Sequence, residues 1–411
     1  MAVLASLCWM LLSCWIQHGR SSEGPPLFCA YQASDREGAS KLVCFESSTG
    51  SPLGDPLESL AAPDSDGNSL ALLRIQPPWP RPIRFTLAAD GGQVAFVISQ
   101  EGRRPFVLAA YEVHRADFQQ VARVDLDGGL VPTALYGFTD GRVFIGYENR
   151  VCFVSLQEGT QRVLHDLSDR RSRKPIDAFA WNGVNLLVAV DDILEPHWMV
   201  LFDLSVGGEP QLLNTVSLHD GINEHYVDAL FLDPRSLMLL SRFSHMGGFG
   251  SALSFVSLDS SGRNFTQLEV VDYQDRDTGE NETLVGDFSH MINLDKSSEN
   301  ELVIAAGERG LLIVPRETQQ ECFRLTDRHQ VRRLLKRDVK VVRTAFPAVQ
   351  VRCHQNMTVA LQIQVLQMLA DMPDVKQFHI SVYNREWEEV HRFAWPVTVA
   401  DLFQDEAESR F

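Results

Sequence analysis

Leu135-Tyr136-Gly137-Phe138-Thr139-Asp140-Gly141-Arg142-Val143-Phe144-Ile145-Gly146-Tyr147 is the stretch that decides the fold. Two short apolar runs flank an Asp-Gly pair. Asp-Gly suits a tight hairpin because Gly adopts positive φ at little cost and Asp tolerates turn geometry. The flanking runs are short and rich in Val, Ile, Leu and Phe, as buried strands are.

The same module recurs along the chain. Phe85–Ser99 carries it around Asp90, Asp177–Val190 around Asn182, and Ala229–Ser241 around Asp233. His290–Ala306 repeats it around Asp295 with a longer turn, and Val349–Val365 is the weakest copy, around Asn356. A third apolar run follows each hairpin: Val107–Tyr111, Val151–Leu156, Met199–Leu204, Leu253–Leu258, Leu311–Val314 and Phe378–Tyr383. A fourth often follows, as in Gln161–Leu167, Gln211–Leu218, Phe265–Val271 and Trp387–Trp395. Leu27–Gln32 and Lys41–Glu46 read as the second and third strands of one more unit at the front.

Four antiparallel strands repeating every 40–60 residues predict the blades of a propeller. One such sheet cannot bury both faces, whereas radial packing covers them and leaves only short edges. The expectation is therefore an all-β, single-domain β-propeller of about seven four-stranded blades. Val200-Leu201-Phe202-Asp203-Leu204 resembles the third strand of a WD repeat with Phe in place of Trp. Phe153-Val154-Ser155-Leu156 and Phe255-Val256-Ser257-Leu258 occupy that place in other units. The chain thus resembles a degenerate WD-repeat-like propeller, without Gly-His or Trp-Asp pairs, and this fold-level resemblance implies a scaffold for protein binding.

The expected layout has an apolar N-terminal segment at 1–24, the propeller at 25–403, a basic interblade insertion at 323–343 and an acidic mobile tail at 404–411. The run from Ala2 to Ile16 reads either as the innermost strand of the first blade or as a signal peptide lacking a basic start. In the second case Pro396–Phe403 is the segment expected to close the ring. The run is short for a membrane span, and no other approaches that length. Seven scattered cysteines without metal-type spacing favour a reducing, cytoplasmic setting over secretion.

The chain has 411 residues and a net charge of −17, with 45% apolar and 22% charged residues. That mix excludes a disordered, collagen-like or coiled-coil chain. The acidic balance argues against nucleic acid as a partner, because phosphate contacts need surplus Lys and Arg.

Catalytic signatures are scarce: the chain has no Walker loop, nucleophile elbow, dinucleotide fingerprint or H-E-x-x-H. No cofactor is expected. Gly247-Gly248-Phe249-Gly250 reads as a flexible loop between apolar strands. His219-Asp220-Gly221-Ile222-Asn223-Glu224-His225-Tyr226 precedes an innermost strand. Its His219, Glu224 and His225 are the candidates for a metal or for acid–base work, with a solvated turn as the plain alternative. A second polar cluster, Asp191–His197, is expected in a hairpin at the opposite face.

Two basic stretches stand out on this acidic chain. Arg170–Lys174 is the shorter one. Arg324–Arg343 holds eight basic residues against Asp327 and Asp338. Within it, Arg328–Arg337 has helical character, with Val331, Leu334 and Leu335 on one side. Arg324, Arg328, Arg332, Arg333, Lys336, Arg337 and Lys340 are the expected partner-binding residues. Their partner would be another protein, through an acidic or phosphorylated segment. The expected function is a non-enzymatic interaction scaffold using propeller loops and this basic rim. The alternatives are an extracytoplasmic propeller enzyme, such as a metal-dependent hydrolase or lactonase, and the substrate-binding part of an adaptor.

Overall fold

The computed structural model describes residues 14–19, 27–32, 41–46, 73–75, 82–89, 94–100, 105–114, 117–126, 130–147, 150–166, 176–190, 198–204, 210–217, 224–245, 248–259, 265–275, 281–282, 291–297, 299–354, 357–366 and 375–394. They form seven antiparallel sheets in which sequential strands pair with their chain neighbours. Six sheets have four strands, and the fifth adds a short edge strand, Asn281–Glu282. The first strands of the seven sheets are Cys14–Gly19, Pro82–Leu87, Ala134–Gly137, Ile176–Trp181, Glu224–Asp233, Asn293–Lys296 and Ala348–His354. Each touches the first strand of the next sheet, and the seventh touches the first. The sheets are thus blades around an axis lined by their first strands: the fold is a seven-bladed β-propeller. Pro396–Phe403 lies outside the described residues.

Blade packing explains why the strands are apolar on both faces. Successive side chains of a strand point to opposite sides. In Leu302–Ala305 of blade six, Leu302 and Ile304 join the core shared with blade five. Val303 and Ala305 join the core shared with blade seven. In blade three, Val143 and Ile145 pack with Phe96 and Leu108 of blade two, while Phe144 packs with Phe202 of blade four. Gly137 stands at such a seam, where an added Cβ would come within 2.5 Å of the Phe96 ring.

The turns are as the Asp/Asn-Gly pairs dictate. Gly141 and Gly183 have φ of +84° and +101°. Asp140 Oδ1 accepts the Arg142 N–H at 3.1 Å. Asn182 Oδ1 accepts from Val184 and Asn185 at 3.0 and 2.7 Å. Asn182 Nδ2 also donates to the Pro234 carbonyl at 3.0 Å. That bond ties the hairpin of blade four to that of blade five, so their first strands run in the same direction. The turns around Asp90 and Asn356 lie outside the described residues.

Two expectations change here. Gly248-Phe249-Gly250 does not form a loop but opens the third strand of blade five, paired with Ser244 and Phe243 on one side and Gln274 and Tyr273 on the other. The basic stretch is not an interblade insertion either. It lies within blade six, between the third strand Leu311–Val314 and the fourth strand Lys340–Val342, which pair with each other.

Candidate functional site

The insertion in blade six is a pair of helices, α1 (Arg316–Cys322) and α2 (Arg328–Asp338). Pro315 precedes α1, with the fixed φ of proline suited to a helix start. Gln319 fastens α1 to the blade: its Nε2 donates to the carbonyls of Val314 at 2.7 Å and Asn300 at 3.1 Å. Asn300 sits in the turn between the first two strands, so the helices stand on the face of those hairpins. Asp327 caps α2 by accepting the His329 N–H at 2.9 Å, and Lys336 and Arg337 in its last turn complement the helix dipole.

The apolar side of α2 is Val331, Leu334 and Leu335, all buried in the core between blades five and six. Phe323 joins them edge-on to Phe255 of blade five, with ring centroids 5.2 Å apart. The insertion of blade six therefore reaches across the seam to the fourth strand of blade five, Phe265–Asp275, which α2 contacts. Burying three aliphatic side chains contributes about 1.5–3 kcal/mol each, which holds the helix without help from its charges. Thr318 Oγ1 donates to Asp338 Oδ2 at 2.9 Å, joining the helices at one end.

The opposite side of α2 is basic and open. Arg328, Arg333, Lys336 and Arg337 are exposed and Arg332 is half-buried, while Arg324, also exposed, lies in the connection before the helix. Arg337 is chelated by its neighbour Asp338, through Nε at 2.6 Å and a second nitrogen at 2.9 Å. Hydrogen bonding to and attraction by Asp338 push the Arg337 pKa up further, and Glu321 adds to it. The same hydrogen bond holds the Asp338 carboxyl below its ordinary value. Among the described residues, Arg328, Arg333 and Lys336 make no ion pair. Lys340 begins the fourth strand and turns toward blade seven, its Nζ 3.5 Å from the Glu386 carbonyl. Arg328, Arg332, Arg333, Lys336 and Arg337 thus lie on α2 itself, with Arg324 in the connection before it and Lys340 in the strand after it.

Between the helices runs a groove of about 280 Å³ lined by Glu321, Leu325, Gln330, Arg333, Leu334 and Arg337. Sequence reasoning missed α1, and with it Glu321 and Leu325. A seven-residue helix is too short to show periodicity, and Pro315 followed by Glu317 was the one available signal. Cys322 inside this hairpin is buried, and that burial pushes its thiol up to about 12.

A second polar constellation lies on the first strands of blades five to seven. Asp228 Oδ2 accepts from Asn293 Nδ2 at 2.5 Å and from the Leu294 N–H at 2.8 Å. Asn293 Oδ1 accepts from the Val351 N–H at 2.8 Å and Arg352 at 3.2 Å. Asp295 Oδ2 accepts from the Cys353 N–H at 2.8 Å. Burial raises the Asp228 pKa, and the Arg352 guanidinium opposes that rise. Each bond runs from one blade to the next, so the cluster is a stitch between first strands that share no ladder.

Of the expected metal candidates, His219 lies outside the described residues, and Glu224 and His225 open the first strand of blade five opposite Phe243 and Arg242. Among the described residues no three His, Cys, Asp or Glu side chains group to hold a metal. Asp191–His197 also lies outside the described residues. No helix among the described residues is long and apolar enough to cross a membrane.

No protein-family model matches this chain, and no curated protein matches it in sequence. Among solved structures it is similar to the β-propeller domain of Nup133 from Vanderwaltozyma polyspora. The two are 9% identical over 84% of this chain and 96% of that one, with a TM-score of 0.47. It is also similar to a protein of unknown function from Bacteroides caccae, 10% identical over 74% of this chain and 95% of that one, with a TM-score of 0.41. The seven-blade assignment rests on this chain's own strand pairing and ring of contacts.

Proposed function

We propose that this propeller is a non-enzymatic platform that binds another protein through the helical hairpin on the rim of blades five and six. The single observation that carries this is the division of labour on α2. Its apolar side is buried in the core, while Arg328, Arg333 and Lys336 face solvent without an acidic partner among the described residues. A solubilising surface on a chain of net charge −17 has no need to concentrate cations on one helix. Unmatched guanidinium groups on a rigid helix are suited to carboxylates presented by a partner. The third-strand sequence Val200-Leu201-Phe202-Asp203-Leu204 supports counting the ring among WD-type propellers, whose scaffold role agrees with this assignment.

The test is a triple change, Arg328→Ser, Arg333→Ser and Lys336→Ser, in the full chain. Exposed charges contribute little to stability, so the variant should melt like the parent. It should lose a partner that the parent captures at low salt and releases at high salt. An unchanged partner set at both salt concentrations would remove α2 as the docking surface.

A further inference from the structure

The groove between α1 and α2 narrows the chemistry of what docks there, and this inference rests on the docking role proposed above. Its floor is Leu325, partly buried, and Leu334. Its two lips carry opposite charge. Glu321 lies on the α1 side, and Arg333 and Arg337 on the α2 side. The two arginines are not equivalent. Both outward bonds of Arg337 already go to Asp338, whereas Arg333 makes no ion pair among the described residues. Lys336 is exposed on the same outer face of α2, one position before Arg337.

We infer that the occupant is an acidic peptide segment of a partner protein, carrying one apolar anchor and using carboxylates rather than phosphate. The anchor covers Leu325 and Leu334, and neighbouring carboxylates meet Arg333 and Lys336. Two features select against phosphate. A phosphate group carries nearly two negative charges, and it binds best between two open guanidinium forks. The groove offers one open fork, because Asp338 holds the other. Glu321 faces the same space and repels a dianion more than a single carboxylate. A long polyanion or an anionic membrane is disfavoured as well, since the basic surface is one short helix on a strongly acidic chain.

The experiment is fluorescence anisotropy on the intact protein with short labelled peptides. One is Glu-rich with a central Leu. A second replaces that Leu with Ser, and a third replaces the Glu residues beside Leu with phosphoserine. Phosphatidylserine vesicles are a separate arm. The Glu/Leu peptide should bind best, and loss of the anchor or Arg333→Ser should each weaken it by about tenfold or more. Arg337→Ser should change it far less, and Glu321→Gln should improve the phosphopeptide selectively. A phosphopeptide or vesicle that binds the parent more tightly than the Glu/Leu peptide would overturn the inference, as would equal losses from Arg333→Ser and Arg337→Ser. Failure of every acidic peptide, with the triple variant still losing its partner, would sink this inference and leave the docking role standing. Failure of both would sink the docking role too.

Discussion

Two groups of polar side chains on blade six stand in opposite surroundings. On its first strand, Asn293 and Asp295 each have hydrogen-bond partners on the adjoining blades or their own backbone, with Asp228 and Arg352 completing the network. On α2, Arg328, Arg333 and Lys336 have no ion-pair partner among the described residues. Polarity alone therefore does not mark a functional surface. The inner cluster holds the ring together, because first strands of neighbouring blades share no ladder and need side chains to join them. The outer one leaves the anchoring of α2 to Val331, Leu334 and Leu335, so its charges are not needed to hold the helix.

Removing Asp228 should break the comparison most visibly. Asp228→Ala leaves the Leu294 N–H and the Asn293 amide without their acceptor, at a cost of about 2–3 kcal/mol in chemical denaturation. A loss no greater than that of the triple rim variant would mean that the inner cluster is not a stitch. Next in size, Gly183→Val should cost about 1–2 kcal/mol. An added Cβ there meets nothing within 4 Å, so the whole effect must come from its φ of +101°. A neutral result would show that the turn relaxes.

The smallest effect concerns pH. His379 stacks on Phe346 with ring centroids 4.2 Å apart, and its Nε2 lies 2.9 Å from Gln364 Oε1. Burial, with Arg392 adding, holds its pKa below the ordinary 6.5. A base whose folded pKa is depressed binds its proton more readily when unfolded. Its contribution is therefore complete above about pH 6.5 and is lost as pH falls from there toward the folded value. His379→Gln should flatten the decline in stability between neutral and mildly acidic pH. An unaltered slope would place that decline elsewhere.

The ring was legible in the sequence because inner strands of the blades are buried on both faces. Leu302–Ala305 and Val143–Ile145 are apolar at every position, and Asp140-Gly141 and Asn182-Gly183 mark the turns between such runs. The helix α2 was legible for the same reason, from the spacing of Val331, Leu334 and Leu335. Its place within a blade was not. The strand that closes the sheet after it, Lys340–Val342, has three residues, too few to show a pattern. The groove depended on α1, whose seven residues are also too few to show a period. The inner stitch was invisible because Asp228, Asn293 and Arg352 belong to three different blades and meet only once the ring is closed.

Hydrogen exchange on the complex with the captured partner tests the central claim most directly. The account predicts slowed exchange in Arg316–Asp338, absent with the Arg328/Arg333/Lys336 triple variant, and no slowing in the first strands of blades five to seven. Slowing confined to the channel strands or to other blades, with Arg316–Asp338 unaffected, would contradict it.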